Sequence, residues 1–236
     1  MNIPEITGII DRRILINYRV NKDILDKYLP DPFKPKTYRG YGIVGICLIR
    51  LKEIRPLYIP KLFGISSENG AHRIAVEWRQ GHSRKEGVYI PRRDTSSTIN
   101  FLVGDRIFPG KHHHSKFQVE EQLGNYKVFF ENKDKTYLKI EAHESDNWNE
   151  HSIFSNIEEA SDFFQTGSLG YSPWKNNFIG LELHTHNWEV SALKISNVDS
   201  SFFDNKQVFP EGSITFDNAL LMKNIHHSWI QKGKLL

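Results

Sequence analysis

The sequence predicts an α+β fold that is mainly antiparallel β, a sheet with a few peripheral helices. Three observations carry that expectation. Short β-branched and aromatic runs recur between polar turns, only two helix signals stand out, and no repeat, low-complexity tract or linker interrupts the 236 residues. A chain with 39% hydrophobic and 12% aromatic residues can bury a core without disulfide staples. A single domain over residues 1–236 is therefore expected.

Each element has a local reason. Residues 14–20 are β-branched and aromatic, hence a strand. Asn21 is placed to cap a short helix carrying Ile24, Leu25, Tyr28 and Leu29, which Pro30 stops. Residues 41–51 are nearly continuous apolar, as in a strand covered on both faces. Residues 56–64 read as a loop whose aromatics rim a pocket. From 72 to 78 the residues alternate, with His72, Ile74, Val76 and Trp78 on one face and Arg73, Ala75 and Glu77 on the other. Residues 88–90 form a strand, and 96–103 fit a helix or an extended segment equally. Residues 117–119, 126–131 and 137–143 read as three antiparallel strands joined by polar turns. Ser155 to Glu158 has a capping-box pattern ahead of a helix with Ile157, Ala160, Phe163 and Phe164 on one stripe, ending at Gly167. Residues 181–184 and 188–198 are further strands, and 216–221 leads into a segment, 222–229, whose structure the pattern leaves open.

Charge excludes one class of partner. The net charge is +3, from 31 basic and 28 acidic residues without a long basic block, so no nucleic acid is expected. The lone Cys47 rules out an internal disulfide and suits a reducing compartment. The first residues lack a basic and apolar leader, and no run approaches the ~18 apolar residues of a membrane span. A cytoplasmic protein with no membrane partner is the expectation, and assembly as a homo-oligomer is left open.

Chemistry concentrates in Lys111-His112-His113-His114-Ser115-Lys116. Burial and mutual repulsion would favour deprotonated nitrogens there, and such nitrogens act as bases, nucleophiles or metal ligands. Lys111 or, with less support, Lys116 is a candidate Schiff-base amine, because cationic neighbours such as Arg106 near Lys111 lower a lysine from its usual ~10.4. The plainer reading is a solvated lysine at a strand entry. His112 and His114 share a strand face, and His184 and His186 repeat the spacing, as a metal site would require. Glu120 and Glu121 lie too far along for a cupin-like ligand set, so no metal and no cofactor is assigned. A second charged group comprises Glu68, Arg73, Arg92, Arg93, Asp94 and Arg106. Arg92-Arg93 follows a proline at a strand end, where a bidentate grip on a carboxylate is natural. Surface ion pairing is the plainer alternative. Cys47 reads as a core residue.

The order of these motifs resembles the acetoacetate decarboxylase-like superfamily, and most closely its DUF2071 branch. Asn17-Tyr18-Arg19-Val20, the following helix and Pro30-Asp31-Pro32-Phe33 resemble a strand, helix and Pro-Glu-Pro of the decarboxylases. Ser67-Glu68-Asn69-Gly70 is similar to a Thr-Glu-Ser-Gly stretch whose glutamate lines their site. Gly87-Val88-Tyr89-Ile90, Gly104-Asp105-Arg106 and Pro109-Gly110-Lys111-His112 continue the likeness over roughly residues 10–230. The resemblance implies a cone- or barrel-like sheet around a central pocket. Counted without gaps from Gly104, the Schiff-base position falls on His112, with Lys111 one residue early and facing the other way on a strand. Arg12 and Arg13 lie near the family's substrate-binding arginine.

The expected function is a small-molecule enzyme acting on a carboxylate or carbonyl compound by acid–base or Schiff-base chemistry of lyase, hydratase or isomerase type. Lys111, His112, His114 and Glu68 are the catalytic candidates. Arg13, Arg92, Arg106 and His113 are the substrate-binding candidates. A non-catalytic ligand-binding domain and a His-ligated metalloenzyme are the alternatives.

Overall fold

The computed structural model describes residues 4–101 and 110–235. Thirteen strands form one mixed sheet. In chain order they are β1 (Ile6–Asn21), β2 (Lys34–Pro35), β3 (Thr37–Tyr38), β4 (Tyr41–Pro56), β5 (Ile65–Gln80), β6 (Ser83–Thr95) and β7 (His112–Gln122). There follow β8 (Asn125–Asn132), β9 (Tyr137–Ser145), β10 (Leu169–Trp174), β11 (Asn177–Thr185), β12 (Ser191–Ser200) and β13 (Ile214–Leu235). Two α-helices lie wholly within the described residues, α1 (Lys22–Tyr28) and α2 (Ile157–Gln165). Pairing is antiparallel except where β6 meets β7 and β10.

The strand order is β11-β10-β6-β7-β8-β9-β12-β13-β1-β4-β5-β2, and two further pairings join β11 to β13 and β6 to β5. The sheet is thus not a single clean barrel. Strands β13, β1, β4, β5 and β6 form a wall that takes part in two closed circuits, one completed by β7, β8, β9 and β12 and the other by β10 and β11.

Period-2 alternation gives this wall two faces. Ile14, Ile16, Val44, Ile46, Leu48, Ile74, Val76 and Trp78 pack against Val128, Phe130, Leu138 and Ile140 of β8 and β9. The opposite face, with Leu15, Cys47, Ile49, Leu51 and Ala75, meets Phe154, Leu181, and Ala160 and Phe164 of α2. The apolar run 41–51 is two-sided for this reason.

Local signals act as the sequence suggests, with shifts. Asn21 Oδ1 accepts from the Asp23 N–H at 2.9 Å and starts α1. The box before α2 sits one residue later than expected. Asn156 Oδ1 accepts from the Glu159 N–H at 2.8 Å, and Glu159 reciprocates at the Ser155 N–H. Residues 98–101 are helical after a bend at 96, and 102–103 lie outside the described residues. The open segment 222–229 belongs to the long β13, stabilised by pairing with β1 and then β11. No helix among the described residues is long and apolar enough to cross a membrane.

Candidate functional site

On the second face of the wall lies a cavity of about 130 Å³. That is well above the ~10–15 Å³ that one water requires. Arg13 and Leu15 of β1, Cys47, Ile49 and Leu51 of β4, and Asn69, Ala71 and Arg73 of β5 line it. Val88, Ile90 and Arg93 of β6, His112 of β7, Phe164 of α2, Leu183 of β11 and Trp229 of β13 complete most of the surround.

A β-bulge decides which arginine of β6 reaches this space. His72 pairs with Arg92 and Ile74 with Tyr89, so Ile90 and Pro91 together oppose Arg73. The extra residue switches the alternation, so that 88, 90 and 93 share the cavity face. Arg92 is turned to the other side. There its Nε and Nη2 donate to both oxygens of Asp94 at 2.8 and 2.9 Å, and Nη1 donates to Asp134 at 2.7 Å. The bidentate carboxylate grip expected of Arg92 is formed with the chain's own Asp94.

Arg93 stands beside His112 in the parallel β6–β7 register. Its Nη2 donates to Ser172 Oγ at 3.3 Å, and burial lowers its pKa to about 10. Gly110 prepares the position of His112. It turns with φ at +110°, and a Cβ there would lie 2.7 Å from the Ser172 side chain. Its carbonyl meets His112 Nδ1 at 2.8 Å. A carbonyl only accepts, so the neutral ring carries its proton on Nδ1 and leaves a lone pair on Nε2. Burial first, and Arg93 second, push the His112 pKa down to about 4 against the pull of that hydrogen bond. The imidazole is therefore neutral at pH 7.

Two more guanidiniums face the cavity. Arg73, only 7% exposed, donates to Asn17 Oδ1 and lies over the Phe164 ring at 4.8 Å. Its Nε has no hydrogen-bond partner, and burial lowers its pKa to about 10, still charged at neutral pH. Arg13 donates from Nε to Cys47 Sγ at 3.3 Å and lies 5.6 Å from the Trp188 ring centre. Among the described residues neither Arg13 nor Arg73 forms an ion pair with a carboxylate. Asp94, already paired with Arg92, is the one carboxylate in the lining among the described residues, so three guanidiniums outweigh it and favour an anionic occupant.

Of the residues expected from sequence, the structure brings Arg13 and His112 to this cavity. Lys111 is exposed, as one step from His112 demands. His113 faces the Arg92 side, 3.6 Å from Asp134. His114 is exposed, 3.4 Å from Thr98 Oγ1. Glu68 has the parity of His72 and Ile74 rather than that of Asn69 and Arg73, so it is absent from the cavity lining. Its carboxylate takes Arg12 Nη2 at 2.6 Å and Arg50 Nε, beside Glu121. Arg106 lies outside the described residues. None of the exposed Leu57, Tyr58, Ile59, Leu62 and Phe63 lines the cavity. His184 pairs with Glu182 at 2.6 Å and His186 is exposed, and no group of three or more His, Cys, Asp or Glu among the described residues is arranged to hold a metal. No lysine lines the cavity among the described residues. Sequence reasoning placed Arg73 and Arg93 among the charged candidates without choosing them, and read Cys47 as core; the odd-face parity of 13, 47 and 73 was the available signal.

Comparison with known proteins agrees with this architecture. The sequence profile of DUF2071, described as an uncharacterized conserved protein, matches residues 10–219. The chain belongs to the DUF2071 family. No curated protein matches it by sequence. Its fold is similar to that of acetoacetate decarboxylase from Legionella pneumophila, with a TM-score of 0.65 at 10% identity over 99% of this chain and 88% of that one. An acetoacetate decarboxylase-like enzyme from Sphingomonas wittichii RW1 gives 0.59 at 8% identity, over 99% and 92%. The enduracididine biosynthesis enzyme MppR complexed with pyruvate gives 0.58 at 8% identity, over 100% and 90%. The fold of this DUF2071 chain is thus acetoacetate decarboxylase-like, as the motif order implies.

Proposed function

We propose that this DUF2071 protein binds a small 2-oxo carboxylate in the cavity and catalyses proton transfer at the carbon next to its carbonyl, as in a lyase, hydratase or isomerase. One observation carries the reading: Arg13, Arg73 and Arg93 line the same cavity as a neutral His112. The guanidiniums would hold the carboxylate by charge-assisted hydrogen bonds. His112 Nε2 would take the proton. The C–H electron pair would become the enolate double bond, and the carbonyl oxygen would gain a negative charge beside a guanidinium. A bound carboxylate also offsets the Arg93 charge that holds His112 low, so ligand raises the basicity of the catalyst. Pyruvate in the similarly folded MppR supports the choice of ligand class. Schiff-base chemistry through Lys111 lacks such support, because that side chain is exposed.

The test is solvent exchange. Wild-type protein in deuterated buffer with pyruvate, and with longer 2-oxo acids, is followed by proton NMR. We expect exchange at C3, slowed at least ~100-fold in His112→Ala. Binding without exchange would leave a ligand-binding domain, and absence of both binding and exchange would end the reading. Calorimetry adds a sign. Because the ligand raises the His112 pKa, affinity should increase from pH 7 to pH 5 in wild type and stay flat in His112→Ala.

A further inference from the structure

Cys47 has surroundings that a packed core thiol does not need. It lines the cavity at 7% exposure, and its sulfur accepts the Arg13 Nε–H at 3.3 Å. It is close enough to both Arg73 and Arg93 to interact with them electrostatically. Arg73 supplies an independent sign of a ligand: it is 7% exposed, lines the same space and leaves its Nε without a partner. A small carboxylate drawn to these cations is delivered against the only thiol of the chain.

We propose that Cys47 is a covalent site for small carboxylates bearing an electrophilic carbon, with the arginines gripping the carboxylate while Sγ attacks. The proposal rests on the anion-binding reading of the cavity and adds a second reactive group to it. With a 2-oxo acid, Sγ bonds to the carbonyl carbon, the π pair moves to the carbonyl oxygen, and the thiol proton ends on that oxygen. The product is a thiohemiketal; nothing is oxidised or reduced and no co-reactant is consumed. With a haloacetate, the S–C bond forms as the carbon–halogen bond breaks, halide leaves and the thiol proton passes to water.

The experiment compares iodoacetate with iodoacetamide on the native chain at pH 7, read by intact mass and peptide mapping. The two reagents differ in the carboxylate that the arginines would recognise. We expect iodoacetate to react about tenfold faster and add one carboxymethyl group at Cys47, since a focused positive field raises local anion concentration by that order or more. Pyruvate should slow the reaction, Arg13→Gln should remove the preference, and Cys47→Ser should remove the adduct. Equal or faster reaction with iodoacetamide would overturn the proposal, as would a thiol inert to both reagents until the chain is unfolded. Pyruvate binding is measured in parallel by thermal shift. Binding without an iodoacetate preference sinks the thiol and leaves the anion cavity standing; absence of both sinks both.

Discussion

Arg12 and Arg13 are sequence neighbours with opposite fates, and so are Arg92 and Arg93. Arg12, 2% exposed, is held between Glu68 and Glu121, and Arg50 bridges the same two carboxylates. Arg92 is clasped by Asp94 and Asp134. Arg13 touches sulfur and an indole ring, and Arg93 lies beside a neutral histidine. On one side of the wall the positive charges are spent on the chain's own acids. On the other, Arg13 and Arg93 border the cavity. The contrast teaches that neighbouring arginines on a strand face opposite sides of the sheet, so that one is held in ion pairs while the other borders the cavity.

The sharpest way to break the contrast is to exchange the fates of the first pair. Arg12→Met should cost about 3–5 kcal/mol in urea unfolding, because it leaves Glu68 and Glu121 with less compensation in a partly dry site. Arg13→Met should leave stability nearly unchanged and remove pyruvate binding in calorimetry. Equal losses of stability in both variants would erase the distinction. The second pair predicts a smaller effect. Arg93→Gln should weaken pyruvate by about 10–100-fold, the worth of one charged hydrogen bond, while Arg92→Gln should lower stability and leave affinity within error.

Acid sharpens the comparison from another direction. His72 lies on the packed side and His112 on the cavity side, and burial lowers their pKa values to about 3 and about 4 from 6.5. Below pH 6.5 the unfolded chain binds protons that the folded chain refuses. Stability should therefore fall as pH drops from about 6.5 toward 4. His72→Phe should make that fall shallower, with His112 and His227 still contributing, and a pH-independent unfolding midpoint across the window would contradict the burial of neutral imidazoles. The smallest expected effect belongs to Lys111→Ala, within ±0.5 kcal/mol of wild-type stability and without change in pyruvate affinity.

Much of the fold was legible because strand signals are local. The alternation at 72–78, the cap at Asn21 and the turns between β7, β8 and β9 each follow from a few adjacent residues. The motif order carried the overall architecture. The site was only partly legible. The resemblance pointed to His112 as the residue at the Schiff-base position, and it does reach the cavity. Glu68 was drawn in by the same resemblance, whereas its own parity with His72 assigns it to the packed side. Arg92 was the candidate from the Arg92-Arg93 pair behind Pro91, with nothing in the sequence to separate it from Arg93. One bulged residue at 90–91 reverses that choice, and nothing short of the pairing of β5 with β6 reveals it. Cys47 is a core residue as read, and it also borders the cavity, which its apolar neighbours do not reveal.

The wall of β13, β1, β4, β5 and β6 separates two kinds of freedom. Even-numbered positions such as 14, 46 and 74 are tied to the aromatic packing behind them, and their volumes are fixed by it. Odd-numbered positions such as 13, 47, 69 and 73 border the cavity, where a side chain meets open space as well as its neighbours. A lineage built on such a partition can drift from one substrate to another by single exchanges on one side of the sheet, while the other side preserves the scaffold that keeps each intermediate alive.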